Sequence, residues 1–334
     1  MADLYITNVF AEYRRDWANS LSKAGYRICY YMQGDVPVRY ILGKAFLKHP
    51  VSLLKQERPA HVIVPEFSGI ALQMALLRKR FGIKVVSMCD DSLDMVEGND
   101  FTGFHRLARR LLPGRLDGII VHGKSIGNWY RDRYGISNFL MPIMNDERRI
   151  RPELERVLPL AREIRPTEKP IVAFVGRLVG LKNIPALIRA FEPLKERAQL
   201  VIVGDGPERE ALEALTPDAV FTGMKSGDDL LAWYDLIDIL VLPSTQEAYG
   251  AVVGEALMAG AKVVVSRKAG ACDLVRVGEN GFIVDPDDAG TMTSCISRLL
   301  DTLETGRVLS LRENLHPYRF DGCVQGVVAG INSL

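Results

Sequence analysis

The stretch from 237 to 260, IDILVLPSTQEAYGAVVGEALMAG, decides the fold. Its first part, IDILVLPS (237–244), is a short apolar run closed by Pro and Ser. That is the pattern of a strand buried on both faces of a parallel sheet. A turn through Tyr249 and Gly250 then leads into a helical pattern over 251–259. Glu247 falls in the loop, and Glu255 lies near the end of the first turn, about 6 Å along the axis at 1.5 Å per residue. A helix mouth offers free N–H groups and hence an anion site, formed here by Tyr249, Gly250 and Ala251. Neither carboxylate suits an anion, but both suit hydroxyls.

Working outward, the same strand-then-helix unit recurs. Downstream of 170 the strand candidates are 171–176, 199–206, 219–223, 237–244, 262–266 and 281–285, with helices at 184–197, 207–215, 228–235, 251–259 and 289–303. Upstream they are 4–10, 26–32, 61–66, 83–89, 118–123 and 138–143, with helices around 12–24, 68–81 and 125–134. Strands alternating with helices predict an α/β protein with two doubly wound parallel sheets, and 334 residues suffice for two cores. The charged, Pro-punctuated run IRPELERVLPLAREIRPTEKP (150–170) reads as the link between them, with room for one helix in it.

Charge separates the halves. Residues 1–150 carry 22 Lys+Arg and 15 Asp+Glu (+7), and the remainder 20 and 26 (−6), so the total of +1 disfavours a nucleic-acid binder. The five cysteines form no CxxC pair and the five histidines are scattered, so no metal is expected and the thiols read as free in a reducing compartment. No apolar run approaches the roughly 20 residues of a membrane span, and MADLYITNVF lacks a signal-peptide pattern, which makes a cytoplasmic location the expectation.

In parallel sheets, ligands gather beyond the carboxyl ends of the strands. There, GRLVGLKN (176–183) supplies Arg177 and Lys182 for a diphosphate, with Asn183 placed to cap the next helix. VGDGP (203–207) sets Gly204 and Gly206 in a tight turn. A nicotinamide-cofactor reading of that G-x-G fails at its third glycine, which is Arg209. A diphosphate flanked by hydroxyls is a nucleotide sugar. The plain alternatives are a solvated basic loop for Arg177 and Lys182, and a helix-dipole contact for Glu255.

These motifs, in order, resemble glycosyltransferase family four, the retaining nucleotide-sugar transferases with an E-x7-E signature: GRLVGLKN, VGDGP, EAYGAVVGEALMAG, KAGACDLV (268–275) and ENGFIVDPDD (279–288). The resemblance implies a GT-B fold, two Rossmann-like domains facing a cleft. It divides the chain into an acceptor-side domain (1–150), a linker (151–168), a nucleotide-sugar domain (169–315) and a terminal helix (316–334) returning to the first domain. It implies that Arg177 and Lys182 hold the diphosphate, that Glu247 contacts the donor sugar and Glu255 the ribose, and that Gly206 shapes the nucleotide pocket. Thr222, Met224 and Lys225 would lie beside the base, and Gly270 to Asp273 beside the sugar or phosphate, although the family usually has Glu where Asp273 stands. No metal or other cofactor is implied. The partners implied are a UDP- or GDP-linked hexose donor and a glycan, glycolipid or lipid-linked acceptor, as in cell-surface polysaccharide or glycoconjugate synthesis. A GT-B epimerase and a non-catalytic nucleotide-sugar-binding partner are the competing functions.

The first half departs from the family. Its first strand is followed by NVFAEYRRDW rather than a Gly-Gly turn, bringing Tyr13, Arg14 and Arg15 to the strand's end. SMCDDSL (87–93) puts Asp90 and Asp91 where relatives carry a histidine, either to orient acceptor or donor hydroxyls or to cap a turn. VRYILGKAFLKHPVSLLKQERP and FTGFHRLARRLLPGR mix apolar residues with Lys44, Lys48, Arg106, Arg109 and Arg110. That mixture suits an anionic membrane surface or a phosphorylated acceptor, and equally ordinary surface helices.

Overall fold

The computed structural model describes residues 2–8, 14–41, 43–98, 101, 103–303 and 309–334. The expected strand 4–10, the start of the helix 12–24 and Tyr13 therefore fall partly or wholly outside the described residues. The chain divides into two compact units, 1–145 with 320–334, and 146–319.

The first unit runs β1 (Asp3–Thr7), α1 (Arg15–Lys23), β2 (Tyr26–Tyr30), β3 (Val38–Ile41), β4 (Lys44–Leu47), α2 (Pro50–Glu57), β5 (His61–Pro65), α3 (Gly69–Phe81), β6 (Lys84–Cys89), α4 (Leu93–Glu97), α5 (Gly103–Leu111), β7 (Gly118–Val121), α6 (Lys124–Tyr134) and β8 (Ser137–Leu140). Its six-stranded sheet has the order β2-β1-β5-β6-β7-β8 and parallel pairing throughout. Leu4, Ile6, Val62, Val64, Val85 and Ile119 share a core with Ile70 and Met74 of α3 and Ile126 and Tyr130 of α6. The intervening Tyr5, Ile63, Val86 and Ile120 are buried as well, so both faces of the sheet are covered. The basic segment after 37 is no continuous amphipathic helix: Val38–Ile41 and Lys44–Leu47 pair antiparallel as a hairpin before α2. β-branched and aromatic residues at alternating positions favour that outcome.

The second unit comprises α7 (Glu147–Arg156), α8 (Leu158–Ile164), β9 (Ile171–Val175), α9 (Ile184–Phe191), β10 (Gln199–Val203), α10 (Arg209–Leu215), β11 (Val220–Gly223), α11 (Gly227–Leu236), β12 (Ile239–Leu242), α12 (Ala251–Met258), β13 (Lys262–Ser266), β14 (Gly281–Val284) and α13 (Ala289–Leu300). Its parallel sheet has the order β11-β10-β9-β12-β13-β14, a doubly wound arrangement with its switch point between β9 and β12. The run read as a linker is instead two helices of this unit. The charged sequence hides an apolar stripe, Ile150, Leu154, Val157 and Ala161, all buried, and Asp146 caps α7 by accepting from the Arg148 N–H at 2.9 Å. The final helix, α14 (Phe320–Asn332), belongs to the first unit and packs on β8 and α1. A Cβ at Gly330 would sit 2.5 Å from the Phe139 ring.

No helix among the described residues is long and apolar enough to cross a membrane. All five cysteines are free thiols; Cys29, Cys89 and Cys295 are buried, while Cys272 and Cys323 are half-buried.

One glycine holds the second unit's site together. Gly204 has φ +143°, and a Cβ there would lie 1.8 Å from the Gly176 carbonyl oxygen, so the loops after β9 and β10 touch backbone to backbone. Gly204→Ala is expected to cost more than about 3 kcal/mol, since backbone must move on both sides. Thermal melting checks this against Gly290→Ala, whose Cβ would meet its nearest atom at an ordinary 3.5 Å.

Candidate functional site

The order of the second sheet puts β9 beside β12, and the loops that leave their carboxyl ends are laced together. The Thr245 N–H donates to the Leu181 carbonyl at 2.9 Å. Beside that bond, the Lys182 ammonium and the Glu247 carboxylate form an ion pair, with side chains only 19% and 15% exposed. The two groups expected on a diphosphate and a sugar thus touch each other. Glu247 is held further by a parallel bridge to Ala269 after β13. Arg177, two residues beyond β9, is exposed and forms no ion pair among the described residues.

The turn into α12 needs its glycine. Gly250 has φ +93°, and a Cβ there would lie 2.6 Å from the Leu242 side chain. Tyr249 is buried, and its carbonyl accepts from the Ala271 N–H at 2.8 Å. A Cβ at Gly270 would meet the Ala248 carbonyl oxygen at 2.5 Å, so the 245–250 and 267–273 loops stack closely. Half-buried Asp273 lies in the 3₁₀ turn Gly270–Leu274, and Ala251 begins α12. Gly206 likewise leaves room for the Leu178 carbonyl, 2.4 Å from where its Cβ would be. At the end of β11, Thr222 donates to the Gly223 carbonyl at 3.0 Å, Met224 is 75% exposed and Lys225 is half-buried.

Glu255 is not an open carboxylate. It accepts a hydrogen bond from the Tyr234 hydroxyl, and burial raises its pKa against the opposing effect of that bond. Asn183 opens α9 with φ +51° but does not cap it with its side chain, which instead donates to the Pro286 carbonyl at 2.9 Å. Among the described residues no group of three or more His, Cys, Asp or Glu is arranged to hold a metal ion.

In the first unit the register pairs Cys89 of β6 with Val121 of β7, so the residues just beyond, Asp90 and His122, fall side by side. His122 Nε2 lies 2.9 Å from Asp90 Oδ1, and its Nδ1 lies 2.6 Å from the Met141 carbonyl oxygen. Arg14 Nη2 donates to both Asp90 oxygens at 2.5 Å. Burial acts to raise the Asp90 pKa, but the His122 hydrogen bond and the His122 and Arg14 charges outweigh it and hold it at about 2. Burial and the nearby Asp90 charge raise the pKa of Glu66.

Asp91 is a different object. Its side chain is 2% exposed, with both oxygens taken by Arg109, Nε at 2.8 Å and Nη2 at 2.5 Å, and a further bond from the Tyr130 hydroxyl at 2.7 Å. Burial alone would lower the Arg109 pKa, but hydrogen bonding and charge from Asp91 raise it. Asp91, expected to orient acceptor or donor hydroxyls or to cap a turn, is an enclosed group whose two oxygens are both paired, and it anchors α5. Neither aspartate caps the following turn, because Ser92 does, accepting from the Met95 N–H at 3.3 Å. Sequence reading missed Arg109, Tyr130 and His122 as partners; the one available signal for His122 was its place just past a strand adjacent to β6.

Residues 169–302 match the family described as Glycosyl transferases group 1, so the second unit carries a glycosyltransferase domain of that group. Among curated relatives, a sulfoquinovosyl transferase of Arabidopsis thaliana is 36% identical over 158 residues, 45% of this chain and 31% of that one. A GDP-mannose-dependent alpha-mannosyltransferase of Corynebacterium glutamicum is 39% identical over 120 residues, 36% and 29% of the two chains. The chain thus spans about a third of the length of these relatives. Among solved structures, Anabaena HepE in complex with UDP superimposes with a TM-score of 0.75 at 15% identity over all of both chains. A sucrose-phosphate synthase from Thermosynechococcus elongatus gives 0.69 at 17%, covering 100% of this chain and 94% of that one. Such likeness establishes the fold, which is GT-B.

Proposed function

We propose that the protein is a retaining glycosyltransferase that moves a hexose-type sugar from a nucleoside-diphosphate donor to a glycan or lipid-linked acceptor. The observation that carries this reading is the Lys182–Glu247 pair at the switch point of the second sheet, inside the segment that matches the glycosyltransferase family. There a cation stands beside a carboxylate, next to the mouth of α12 and exposed Arg177.

The chemistry follows from charge. As the bond from the anomeric carbon to the diphosphate oxygen lengthens, negative charge grows on the phosphate and the sugar becomes oxocarbenium-like. Lys182, Arg177 and the N–H groups at the start of α12 would receive that charge, each charged hydrogen bond being worth about 1.5–3 kcal/mol. Lys182 would turn from Glu247 to the phosphate, and the freed carboxylate would accept hydroxyls of the sugar. Exposed Met224 would offer a face to the base. Glu255, bound to Tyr234 and with a raised pKa, would grip ribose only with that tyrosine as its orienting partner. Curated relatives named GDP-mannose-dependent and neighbours solved with UDP support testing both bases.

The test is a screen of UDP- and GDP-sugars by thermal shift, followed by turnover with and without acceptor. The expected result is acceptor-dependent release of nucleoside diphosphate, with Glu247→Ala still binding the nucleotide but about 100-fold slower in turnover. Consumption of donor without acceptor would indicate an epimerase, binding without consumption a silent partner, and full turnover by Glu247→Ala would sink the assignment of the site.

A further inference from the structure

The first unit contains a cavity of about 620 Å³ between α4, α5 and α6, remote in sequence from the donor loops and independent of the donor reading. That volume lies within the roughly 300–1,000 Å³ usual for small-molecule sites. Four of its lining residues are arginines, Arg106, Arg109, Arg110 and Arg133, against a single carboxylate, Glu97, a balance of 4 − 1 = +3. Its other walls are mainly aromatic, with Phe101 and Trp129 foremost.

The guanidinium groups are organised. Arg109 lies 3.9 Å above the Phe101 ring and is fixed by Asp91, yet its Nη1 is buried with no hydrogen-bond partner. Arg106 is tied to the Phe101 carbonyl by Nε at 2.8 Å, which leaves its remaining N–H groups for a ligand. Arg133 stacks on Trp129, 5.4 Å from the ring centroid. Arg110 and Arg133 form no ion pair among the described residues, and both are exposed. Guanidinium forks on aromatic faces are the donor set for phosphate, which accepts two parallel N–H bonds per fork. On the outer side of α5, Leu107 and Leu111 stand one turn apart and are 54% and 45% exposed.

We propose that this cavity binds the phosphate of an amphipathic phosphorylated molecule, the arginines holding the phosphate while Leu107 and Leu111 meet its apolar part. The same chemistry is offered by a lipid headgroup in a bilayer and by a soluble phosphate ester.

Two probes separate these sources in the full chain, both used in a Lys182→Ala background that weakens phosphate binding by the donor loops. The first is flotation with phosphatidylglycerol–phosphatidylcholine vesicles against pure phosphatidylcholine. The second is titration with inorganic phosphate followed by tryptophan fluorescence, with Trp129→Phe removing the signal. Arg106→Gln/Arg110→Gln/Arg133→Gln is expected to weaken binding at least tenfold in that background and, in the chain that keeps Lys182, to leave nucleotide binding by the second unit unchanged. Binding of anionic vesicles that is also lost in Leu107→Ser/Leu111→Ser supports the proposal with a lipid source. Binding of inorganic phosphate alone, lost in the arginine variant, supports it with a soluble source. If wild-type residues at these positions bind neither probe, or the arginine variant binds both as well as they do, the proposal is overturned. Should the triple variant melt early, Arg133→Gln alone, on the exposed end of α6, replaces it, with a several-fold loss expected and an unchanged affinity overturning the proposal.

Discussion

Lys182→Ala is expected to lower kcat/KM for the sugar-nucleotide donor by about 10²- to 10³-fold, the scale on which one preorganised charge-stabilising donor acts. Two losses combine. The leaving diphosphate forfeits a charged hydrogen bond worth about 1.5–3 kcal/mol. Glu247, 15% exposed, also loses its partner and presents an unbalanced carboxylate to an anionic donor. The first loss grows in the transition state and lowers kcat, whereas the second is felt on binding and raises KM. Glu247→Gln separates them, because it frees Lys182 while keeping the shape of the side chain. Nucleoside-diphosphate binding should then hold or tighten while turnover falls. Steady-state kinetics on the two variants and their double mutant check the pair, and strong non-additivity is expected of groups in contact. A loss of less than threefold in Lys182→Ala would remove the diphosphate role from this residue.

Asp91→Ala is expected to destabilise the first unit by about 3–5 kcal/mol, because it leaves the largely enclosed Arg109 guanidinium with only the longer contact to Glu66 at 3.4 Å. For a unit of this size the melting temperature should fall by roughly 10 °C. Asp91→Asn keeps the shape and an acceptor for the Tyr130 hydroxyl but loses the charge, so an intermediate loss follows. Asp91→Ala/Arg109→Ala should be less destabilised than the sum of the single changes, since the enclosed pair is removed together and only Glu66, 3.4 Å from Arg109, loses a partner. A carboxylate that orients substrate hydroxyls would behave in the opposite way, with Asp91→Ala keeping its melting temperature and losing turnover. Thermal unfolding of these variants distinguishes the two roles without need of a substrate.

Much of the second unit was legible because its signals are local. The run 237–260 announces a buried strand, a turn and a helix through neighbours a few residues apart, and the loops carrying Arg177, Gly206, Glu247 and Asp273 follow in the same way. The segment 150–170 was misjudged because charge and proline mask a four-residue apolar stripe that shows only once α11 packs on it. The hairpin β3–β4 was missed because mixed basic and apolar residues over so few positions fit both periods.

The sequence by itself determined an α/β chain of two parallel sheets and the loops in which donor chemistry is to be sought, since periodicity and turn residues are properties of neighbouring positions. Only the tertiary structure decided which of those side chains meet. Lys182 and Glu247 are 65 positions apart and touch because β9 lies beside β12, and Asp91 is enclosed because Arg109 and Tyr130 arrive from α5 and α6. The physical reason is that strand order and helix packing, set by long-range burial, select partners among groups whose local patterns are alike.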